Sequence, residues 1–504
     1  MIDIQALQLT HKKDLRSLLD RLDLTIHTGD KLALIGEEGN GKSTLLKLLF
    51  DESLVSDYID WIGRMIKNYS RAGYLPQSLP QELECLPLYD YFFQDEEIDY
   101  AILYRLAGQL NIDSSRLTSS QPLGSLSGGE RIKIQLLKIL SCPHDILFLD
   151  EPSNDMDLET LEWLESYIAA SKETIVFISH DPEFLSKTAT RILHIELLRK
   201  KGQPRVTVAN IDYENYLSQR ELQIKRQTQQ AINDQKEYAK KEARFQRVHD
   251  SVQHALREMH DSTQGRLLAK KMHVIKAQGK RMEKESDLLT QRPDQETAID
   301  LFFDMQKKQA MDRVLVQFEK ETLVQSQKVL IPSFSWTLRT GQKVAITGAN
   351  GIGKSSLLKI LRDQCQEMTS LKMAYMPQNY QEELDLQQSP LEFLAPTRES
   401  KERERIRSRL ASLQFTKEEI QHAMADLSGG QLAKILLLQI VLTQPDILLL
   451  DEPTRNLSPV SHEQVVKLFQ DFKGTLVCVS HDRRFMSQVC EQVYELTIDG
   501  LKEQ

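Results

Sequence analysis

The chain has 504 residues and a formal net charge of −9, with 64 Lys or Arg against 73 Asp or Glu. This length exceeds what one hydrophobic core usually supports, so we expect at least two domains. No stretch reaches the roughly 18 apolar residues of a membrane-spanning helix, and the start lacks the apolar run of a signal peptide. The five cysteines form no CxxC pair, which argues against zinc, iron–sulfur and disulfide frameworks. We therefore expect a cytoplasmic protein without membrane insertion.

The first motif is the stretch "GEEGNGKST", which begins at Gly36 and matches the pattern GxxxxGK[ST]. It lies between the strand-like "KLALI" and the helix-like "TLLKLLF", which is the context of a phosphate-binding loop. Its glycines allow backbone N–H groups to surround phosphate oxygens at the start of a helix. We expect Lys42 to reach the β- and γ-phosphates of a nucleotide. The nucleotide-binding residues predicted here are Gly36, Asn40, Gly41, Lys42, Ser43 and Thr44.

A pair of carboxylates follows the apolar run "ILFLD", which is typical of a buried parallel strand. Open α/β sheets bind ligands at the carboxyl ends of such strands. We expect Asp150 to hold Mg²⁺ together with Ser43 and Gln77, and Glu151 to polarise the attacking water. His180 follows a further apolar strand in "ISHD". A catalytic role and an ordinary buried histidine are both open for it, and the repeat described below favours catalysis.

The middle of the chain, residues 214–290, carries 16 Lys or Arg and 11 Asp or Glu. Apolar residues recur there every seven positions, first at Tyr238, Phe245 and Val252 and again at Leu268, Ile275 and Met282. This spacing predicts an antiparallel coiled-coil hairpin that turns near residues 261–265. At the usual rise per residue, a first arm of about 45 residues would extend roughly 65 Å.

One segment of this hairpin, "RLLAKKMHVIKAQGKR" at residues 266–281, has six basic residues and no acid. A solvated helix face is one explanation of such charges. The concentration of positive charge in an acidic chain favours contact with a polyanion. The candidate residues are Arg266, Lys270, Lys271, Lys276, Lys280 and Arg281, and the second family resemblance described below implies that they bind RNA.

The motifs then recur, with "GANGIGKSS" at Gly348, "ILLLDEP" ending at Pro453 and "VSHD" containing His481. The glycine loops are 312 residues apart, whereas every later pair of motifs is 301 residues apart. The chain is therefore a tandem duplication whose second copy is 11 residues shorter after its glycine loop. The second set of candidates is Gly348, Gly351, Gly353, Lys354, Ser355 and Ser356 for nucleotide, Ser355, Gln378 and Asp451 for metal, and Glu452 and His481 for catalysis.

The motif "LSGG" occurs in both copies and, with the glycine loops, makes the chain resemble the ATP-binding cassette (ABC) superfamily. The resemblance covers about residues 1–212 and 313–504, which we predict as two ATP-binding domains. Residues 213–290 form the predicted hairpin and residues 291–312 a connecting segment. The implied fold class is α/β, with two ABC-type P-loop nucleotide-binding domains joined by an antiparallel α-helical coiled-coil linker.

In such cassettes the two copies face head to tail, which implies that each ATP lies between one glycine loop and the opposite signature. The resemblance therefore pairs the first loop with Ser428, Gly429 and Gly430, and the second loop with Ser127, Gly128 and Gly129. It implies ATP and Mg²⁺ as cofactors and a monomer with intramolecular cassette pairing. Binding of ATP would close the cassettes and hydrolysis would release them.

The two copies differ after their catalytic carboxylates, where the first reads "EPSNDMD" and the second "EPTRNLSP". Asp157 in the first copy is replaced by Ser458 in the second. In the family this aspartate touches the opposite glycine loop. We therefore expect two unequal sites.

Tandem cassettes, the absence of a membrane domain and a basic linker resemble the ABC-F family. This resemblance implies an ATPase that binds the ribosome near the tRNA exit site. Its hairpin would reach toward the peptidyl-transferase centre and contact rRNA and possibly tRNA, to regulate translation or to protect the ribosome from antibiotics. Two alternatives are the ATPase subunit of a membrane exporter and a DNA-maintenance ATPase. A basic hairpin has no evident role in the first, and the second usually carries its coil within one cassette.

Overall fold

We analysed a computed structural model of the chain. It describes residues 1–13, 15–94, 97–154, 156–197, 203–258, 270–279, 281, 301–303, 313–325, 328–349, 351–368, 371–397, 399–413, 415–455, 457 and 459–504. These residues divide into one unit that contains both cassettes, Met1–Tyr213 with Glu296–Gln504, and a second unit, Glu214–Gln295.

The strands of the first cassette are β1 (Ile2–His11), β2 (Ser17–Ile26), β3 (Lys31–Ile35), β4 (Ile59–Lys67), β5 (Ala72–Leu75), β6 (Ile146–Asp150), β7 (Thr174–Ile178), β8 (Arg191–Leu197) and β9 (Gln203–Ala209). Its central sheet has the order β5-β6-β7-β3-β8-β9, with β9 antiparallel to β8 and the other neighbours parallel. Every residue of β3, β6 and β7 is buried, as expected for a parallel sheet covered on both faces. The sheet therefore places the ends of β3 and β6 at one edge.

The helices of the first cassette are α1 (Lys42–Phe50), α2 (Gln81–Glu84), α3 (Leu88–Phe93), α4 (Tyr100–Gln109), α5 (Ser114–Leu117), α6 (Gly128–Ser141), α7 (Leu158–Ala170) and α8 (Pro182–Thr188). Helix α6 begins with a capping box, in which the Ser127 hydroxyl and the Glu130 carboxylate each accept a backbone N–H. Asp157 caps α7 and Asp181 caps α8. These caps fix the starts of the helices that surround the site.

A smaller antiparallel sheet of order β2-β1-β4 lies beside the central sheet. Leu7, Leu9 and Leu22 from this sheet and Leu46 from α1 are buried in one core with the central strands. Each fully buried leucine contributes about 2 kcal/mol to stability. This core anchors α1, which begins directly after the glycine loop.

Between the cassettes, α9 (Tyr213–Glu258) is a single helix of 46 residues, which corresponds to about 69 Å at the usual rise. Residues 270–279 are also helical. A Cβ added at Gly279 would lie 3.0 Å from the Phe245 ring, so the two helical segments pack closely there. The predicted turn near residues 261–265 lies outside the described residues, and the coiled-coil pattern stays a prediction.

The second cassette repeats the first. Its strands are β10 (Val314–Gln325), β11 (Lys328–Arg339), β12 (Lys343–Thr347), β13 (Met373–Met376), β14 (Ile447–Asp451), β15 (Thr475–Val479), β16 (Gln492–Thr497) and β17 (Gly500–Glu503). Its helices are α10 (Lys354–Gln366), α11 (Pro390–Leu394), α12 (Ser400–Ser412), α13 (Lys417–Gln421), α14 (Gly429–Thr443), α15 (Pro459–Asp471) and α16 (Arg483–Val489). The central sheet, β13-β14-β15-β12-β16-β17, has the same topology as that of the first cassette.

One strand accounts for the unequal length of the two copies. The first cassette contains the nine-residue strand β4 between its glycine loop and β5. Among the described residues of the second cassette, α10 is followed directly by β13, and the smaller sheet consists of β10 and β11. The 11-residue difference seen in the sequence therefore falls on this sheet and leaves the site motifs in register.

An ion network joins the cassettes. Arg483 of α16 contacts the carboxylates of Glu165, Glu162 at 3.3 Å and Glu183 at 3.2 Å, all from the first cassette. The Glu165 side chain is only 5% exposed and also pairs with Lys187 at 3.0 Å. Three carboxylates around one guanidinium form a fixed contact between the two halves.

The structure confirms the predicted α/β class with two cassette domains and a long helix between them. No helix among the described residues is long and apolar enough to cross a membrane.

We expect Arg483→Ala to lower the free energy of unfolding by about 2 kcal/mol, because Glu165 then stays buried with less compensating positive charge. Urea unfolding of the nucleotide-free protein, followed by circular dichroism, measures this loss. Its neighbour Arg484 pairs with Glu463 where the two side chains are 37% and 44% exposed, far more than Glu165. Arg484→Ala should change the free energy by less than about 0.5 kcal/mol, and equal losses in both variants would contradict the assigned role of Arg483.

Candidate functional site

The first glycine loop has a conformation that requires glycine. Gly36 has a φ of 142°, and a Cβ there would lie 2.1 Å from the carbonyl oxygen of Ile195 on β8. The Asn40 side chain donates a hydrogen bond to the same carbonyl at 2.9 Å. The Lys42 ammonium donates to the carbonyls of Gly36 and Glu37 at 2.8 and 2.9 Å. The loop therefore curls around the lysine that we predict to bind phosphate.

The second glycine loop repeats this geometry. Gly348 has a φ of 137°, and a Cβ there would lie 2.5 Å from the carbonyl oxygen of Leu496. The Lys354 ammonium donates to the carbonyls of Gly348 and Ala349 at 2.7 and 3.1 Å. Both copies thus hold the ammonium at the same place in the loop.

The residues predicted to hold Mg²⁺ come together at the end of β6 and β14. The Ser43 hydroxyl donates to Asp150 Oδ1 at 2.9 Å. In the second copy, burial raises the pKa of Asp451, and the nearby Ser355 opposes this rise. Burial raises the pKa of Asp150 to about 6, which the bond from Ser43 partly opposes. Among the described residues, Asp150 Oδ2 and Asp451 Oδ1 are buried without a hydrogen-bond partner. Carboxylate and hydroxyl oxygens in this arrangement fit a magnesium ion.

Both candidate catalytic glutamates have a strained backbone. Glu151 and Glu452 each have a φ of 52°, in the left-handed region that costs an ordinary residue about 1–2 kcal/mol. Their N–H groups donate to the carbonyls of Ile178 and Val479 on the neighbouring strands, at 3.1 and 2.9 Å. These bonds hold the strained residues in place next to the aspartates that we predict to bind Mg²⁺.

The pKa values of the two glutamates are shifted in opposite directions. Burial opposes the ionisation of Glu151, but hydrogen bonding and charge from His180, with help from Lys42 and Asn154, hold its pKa at about 2. His180 Nε2 lies 3.4 Å from this carboxylate. In the second copy, burial and the adjacent Asp451 raise the pKa of Glu452 to about 8. His481 lies farther away, at 3.8 Å, and burial lowers its pKa to about 4.

One cavity of about 500 Å³ combines the second glycine loop with the first signature. Its lining includes Ser127, Gly128, Gly129, Gly351, Gly353, Lys354, Ser355, Ser356, Gln378, Asp451, Glu452, His180 and His481. Asp157 of the first cassette is near enough to oppose the lowering of the pKa of Lys354 that burial causes. This cavity, which we call site 2, therefore contains the head-to-tail set that the sequence predicts.

The other set, which we call site 1, is arranged differently. A cavity of about 420 Å³ is lined by the first glycine loop, including Gly41, Lys42, Ser43 and Thr44, together with Gln77, Glu151, His11 and Tyr58. The signature helix of the second cassette contacts two acidic side chains of this loop. The N–H of Gly430 donates to Glu38 at 2.5 Å, and the Lys434 ammonium lies 3.3 Å from Glu37.

Several of these residues were not predicted from the sequence. Asn154 donates to the Glu151 carboxylate, and Glu37 and Glu38 contact the opposite signature helix. The difference between "GEEG" and "GANG" in the two loops could have signalled the acids. Ser458 lies outside the described residues, as do Arg266 and Lys280. The other predicted RNA-binding residues, Lys270, Lys271, Lys276 and Arg281, are exposed.

A known family matches both cassettes. The family described as "ABC transporter" matches residues 19–154 and 331–455, which together are more than half of the chain. The chain belongs to this family. The membership confirms the predicted enzyme class, an ATPase, and ABC domains of this kind bind ATP.

Relatives that align with nearly the whole chain confirm the resemblance to ABC-F proteins. "Probable ATP-binding protein YheS" of Escherichia coli K12 is 27% identical over 98% of this chain and 78% of its own length. "Putative ATP-binding protein YdiF" of Bacillus subtilis is 27% identical over 100% of this chain and 81% of its own length. "ATP-binding cassette sub-family F member 3" of Rattus norvegicus is 26% identical over 95% and 69%.

Solved structures share the fold. An archaeal ribosome recycling factor, aABCE1, in complex with the stalk protein aP1 has a TM-score of 0.58 at 16% identity, over 97% of this ABC chain and 87% of that chain. A protein named "RNase-L Inhibitor" has a TM-score of 0.57 at 14% identity, over 97% of this chain and 87% of that chain.

The pKa values of Glu151 and Glu452 are shifted in opposite directions. The same Glu→Gln substitution should therefore have opposite effects on the free energy of unfolding in metal-free, nucleotide-free protein. The folded pKa of Glu151, about 2, lies below the value of an unfolded glutamate, so its ionised form stabilises the fold at neutral pH. Glu151→Gln should lower the free energy of unfolding by about 3 kcal/mol at neutral pH.

The folded pKa of Glu452, about 8, is raised, so stability is lost as the pH rises toward this value. Glu452→Gln should therefore stabilise the protein, and the gain should grow by roughly 4 kcal/mol between about pH 5 and 8.5. Chemical unfolding in the presence of a chelator measures both effects. Losses of equal sign and size in the two variants would show that the two carboxylates have similar environments.

Proposed function

We propose that this ABC protein is an ATP-driven factor that binds the ribosome near the tRNA exit site. Its basic hairpin would reach toward the peptidyl-transferase centre, either to regulate translation or to protect the ribosome from antibiotics. The observation that carries the proposal is the basic segment 266–281, which contains no acid and lies between two cassettes of an acidic chain. A ribosome is a polyanion that such a segment can bind.

The roles of the site residues follow from their positions. The loop N–H groups with Lys42 and Lys354 bind the nucleotide phosphates, and Asp150 with Ser43 provides oxygen ligands. Mg²⁺, when bound there, neutralises phosphate charge. Glu151 is ionised at neutral pH and can accept a hydrogen bond from the attacking water.

Closure couples the nucleotide to the partner. Because each site combines one loop with the opposite signature, ATP bridges the two cassettes and its hydrolysis removes the bridge. The cassettes would then hold the ribosome while ATP is intact and release it afterwards. The catalytic roles proposed for Glu151, Glu452, His180 and His481 belong to this release step.

The exposed cations of the hairpin support contact with RNA. Lys270, Lys271, Lys276 and Arg281 are all exposed, and Ile275 between them is buried. The helix therefore directs its cations to solvent while an apolar residue packs inside the hairpin unit. Lysine and arginine on such a face bind phosphates with little sequence preference, so affinity should fall as salt is raised. One solved structure with the same fold, "Model of ribosome-bound archaeal Pelota and ABCE1", is a ribosome complex of that protein.

The test uses the double variant Glu151→Gln/Glu452→Gln, which should slow hydrolysis and retain ATP binding. We expect this variant to sediment with ribosomes in the presence of ATP and to stay in the supernatant without nucleotide. Binding that does not depend on ATP, or no binding at low salt by protein that still binds ATP, would contradict the proposal. Sedimentation with membranes or DNA instead would favour an exporter subunit or a DNA-maintenance ATPase.

The role of the hairpin can be tested in the same background. Charge reversal at Lys270, Lys271 and Lys276 should weaken ribosome binding by about 100-fold, because three phosphate contacts become repulsive. Reversal of Lys401, Arg405 and Arg407, three exposed cations on α12, provides a matched control that should have little effect. Susceptibility of cells to ribosome-targeting antibiotics, compared with their translation rate, then distinguishes protection from regulation.

A further inference from the structure

The two ATP sites differ in what faces the signature helix. At site 1 the backbone N–H of Gly430, at the start of α14, donates to the Glu38 carboxylate from the opposite cassette. In the ATP-bound arrangement, the resemblance assigns this group to the γ-phosphate. Glu38 therefore places one anion where the nucleotide would place another.

A second contact reinforces the first. The Lys434 ammonium of α14, only 10% exposed, lies 3.3 Å from the Glu37 carboxylate. Lys133 is the equivalent residue of the first copy, and it pairs with Asp157 of its own cassette at 2.8 Å. The position equivalent to Asp157 in the second copy is Ser458, which has no carboxylate to offer Lys434.

The sequence shows that the two glycine loops differ in charge at these positions. The residues equivalent to Glu37 and Glu38 in the second loop are Ala349 and Asn350, neither of which is acidic. Site 1 thus has two acids in its loop, whereas site 2 has neutral residues there. The second copy thus lacks the carboxylate equivalent to Asp157, and the acid that pairs with its Lys434 comes from the glycine loop of the first copy.

We propose that Glu37 and Glu38 form an acidic latch that closes site 1 without nucleotide. The Glu38 carboxylate substitutes for the γ-phosphate at the Gly430 N–H, and the Glu37–Lys434 pair holds the same helix. A nucleotide with a γ-phosphate binds site 1 only after it displaces Glu38 against like-charge repulsion. ADP has no γ-phosphate and does not compete with the latch. The inference rests on the proposed phosphate-binding roles of the loop and the signature, and it does not involve the ribosome.

The experiment measures nucleotide affinity at site 1 in full-length protein that carries Lys354→Ala, which weakens binding at site 2. The dissociation constants of a non-hydrolysable ATP analogue, adenylyl imidodiphosphate, and of ADP are determined by calorimetry with Mg²⁺. Glu38→Gln should tighten binding of the analogue by about tenfold, the effect of removing one nearby like charge. Binding of ADP should change by less than about twofold.

Two further variants make the result specific. Glu52→Gln removes the same charge from an exposed position of the first cassette and should change neither affinity. In the mirror experiment, Lys42→Ala weakens site 1, and Asn350→Glu then introduces the acid into site 2. This substitution should weaken binding of the analogue there.

The ADP measurement also reports whether each variant is folded. Unchanged affinity for the analogue in Glu38→Gln, or equal changes for both nucleotides, would overturn the latch. If Glu38→Gln gives the expected nucleotide affinities but the protein does not bind ribosomes, only the proposed function is contradicted.

Discussion

The N-terminus of each signature helix faces the glycine loop of the opposite cassette, and the rest of the site geometry depends on this contact. In the proposed function, a complete phosphate-binding surface requires both cassettes. A loop supplies one set of N–H groups and an ammonium, and the opposite helix supplies the second set. Helix caps such as Ser127 fix the start of the signature helix and so the position of its N–H groups. The buried parallel strands fix the position of the glycine loop. Chemistry in this protein is therefore a property of the cassette pair.

Much of this site could be predicted from the sequence because its elements obey local rules. Glycines at Gly36 and Gly348 signal a backbone that excludes a Cβ, and apolar runs that end in Asp150 or Asp451 signal buried strands with carboxylates at their ends. The second copy supplied an independent check, since its motifs recur in the same order and every pair after the glycine loops is 301 residues apart. The α/β class, the two cassettes and the long helix between them follow from the same patterns.

The remaining features depend on contacts that no local pattern contains. Glu38 and Gly430 are 392 positions apart, and only the folded pair brings them together. The different pKa values of Glu151 and Glu452 arise from the distance of each histidine and from Asn154, although both glutamates follow the same strand motif. The network around Arg483 also joins groups from both halves of the chain. Sequence reasoning identified Gly430, Glu151 and Glu452, but it missed Glu38, Asn154 and Arg483 and the contacts that these residues make.

The acids at Glu37 and Glu38 show what a fused pair of cassettes permits. Two identical subunits related by a two-fold axis must carry every substitution into both of their sites. A chain that contains both copies is free from this constraint, so one glycine loop can carry acids while the equivalent loop carries neutral residues. Duplication and fusion therefore turn a symmetric machine into one with a distinguishable first and second site, each open to independent change.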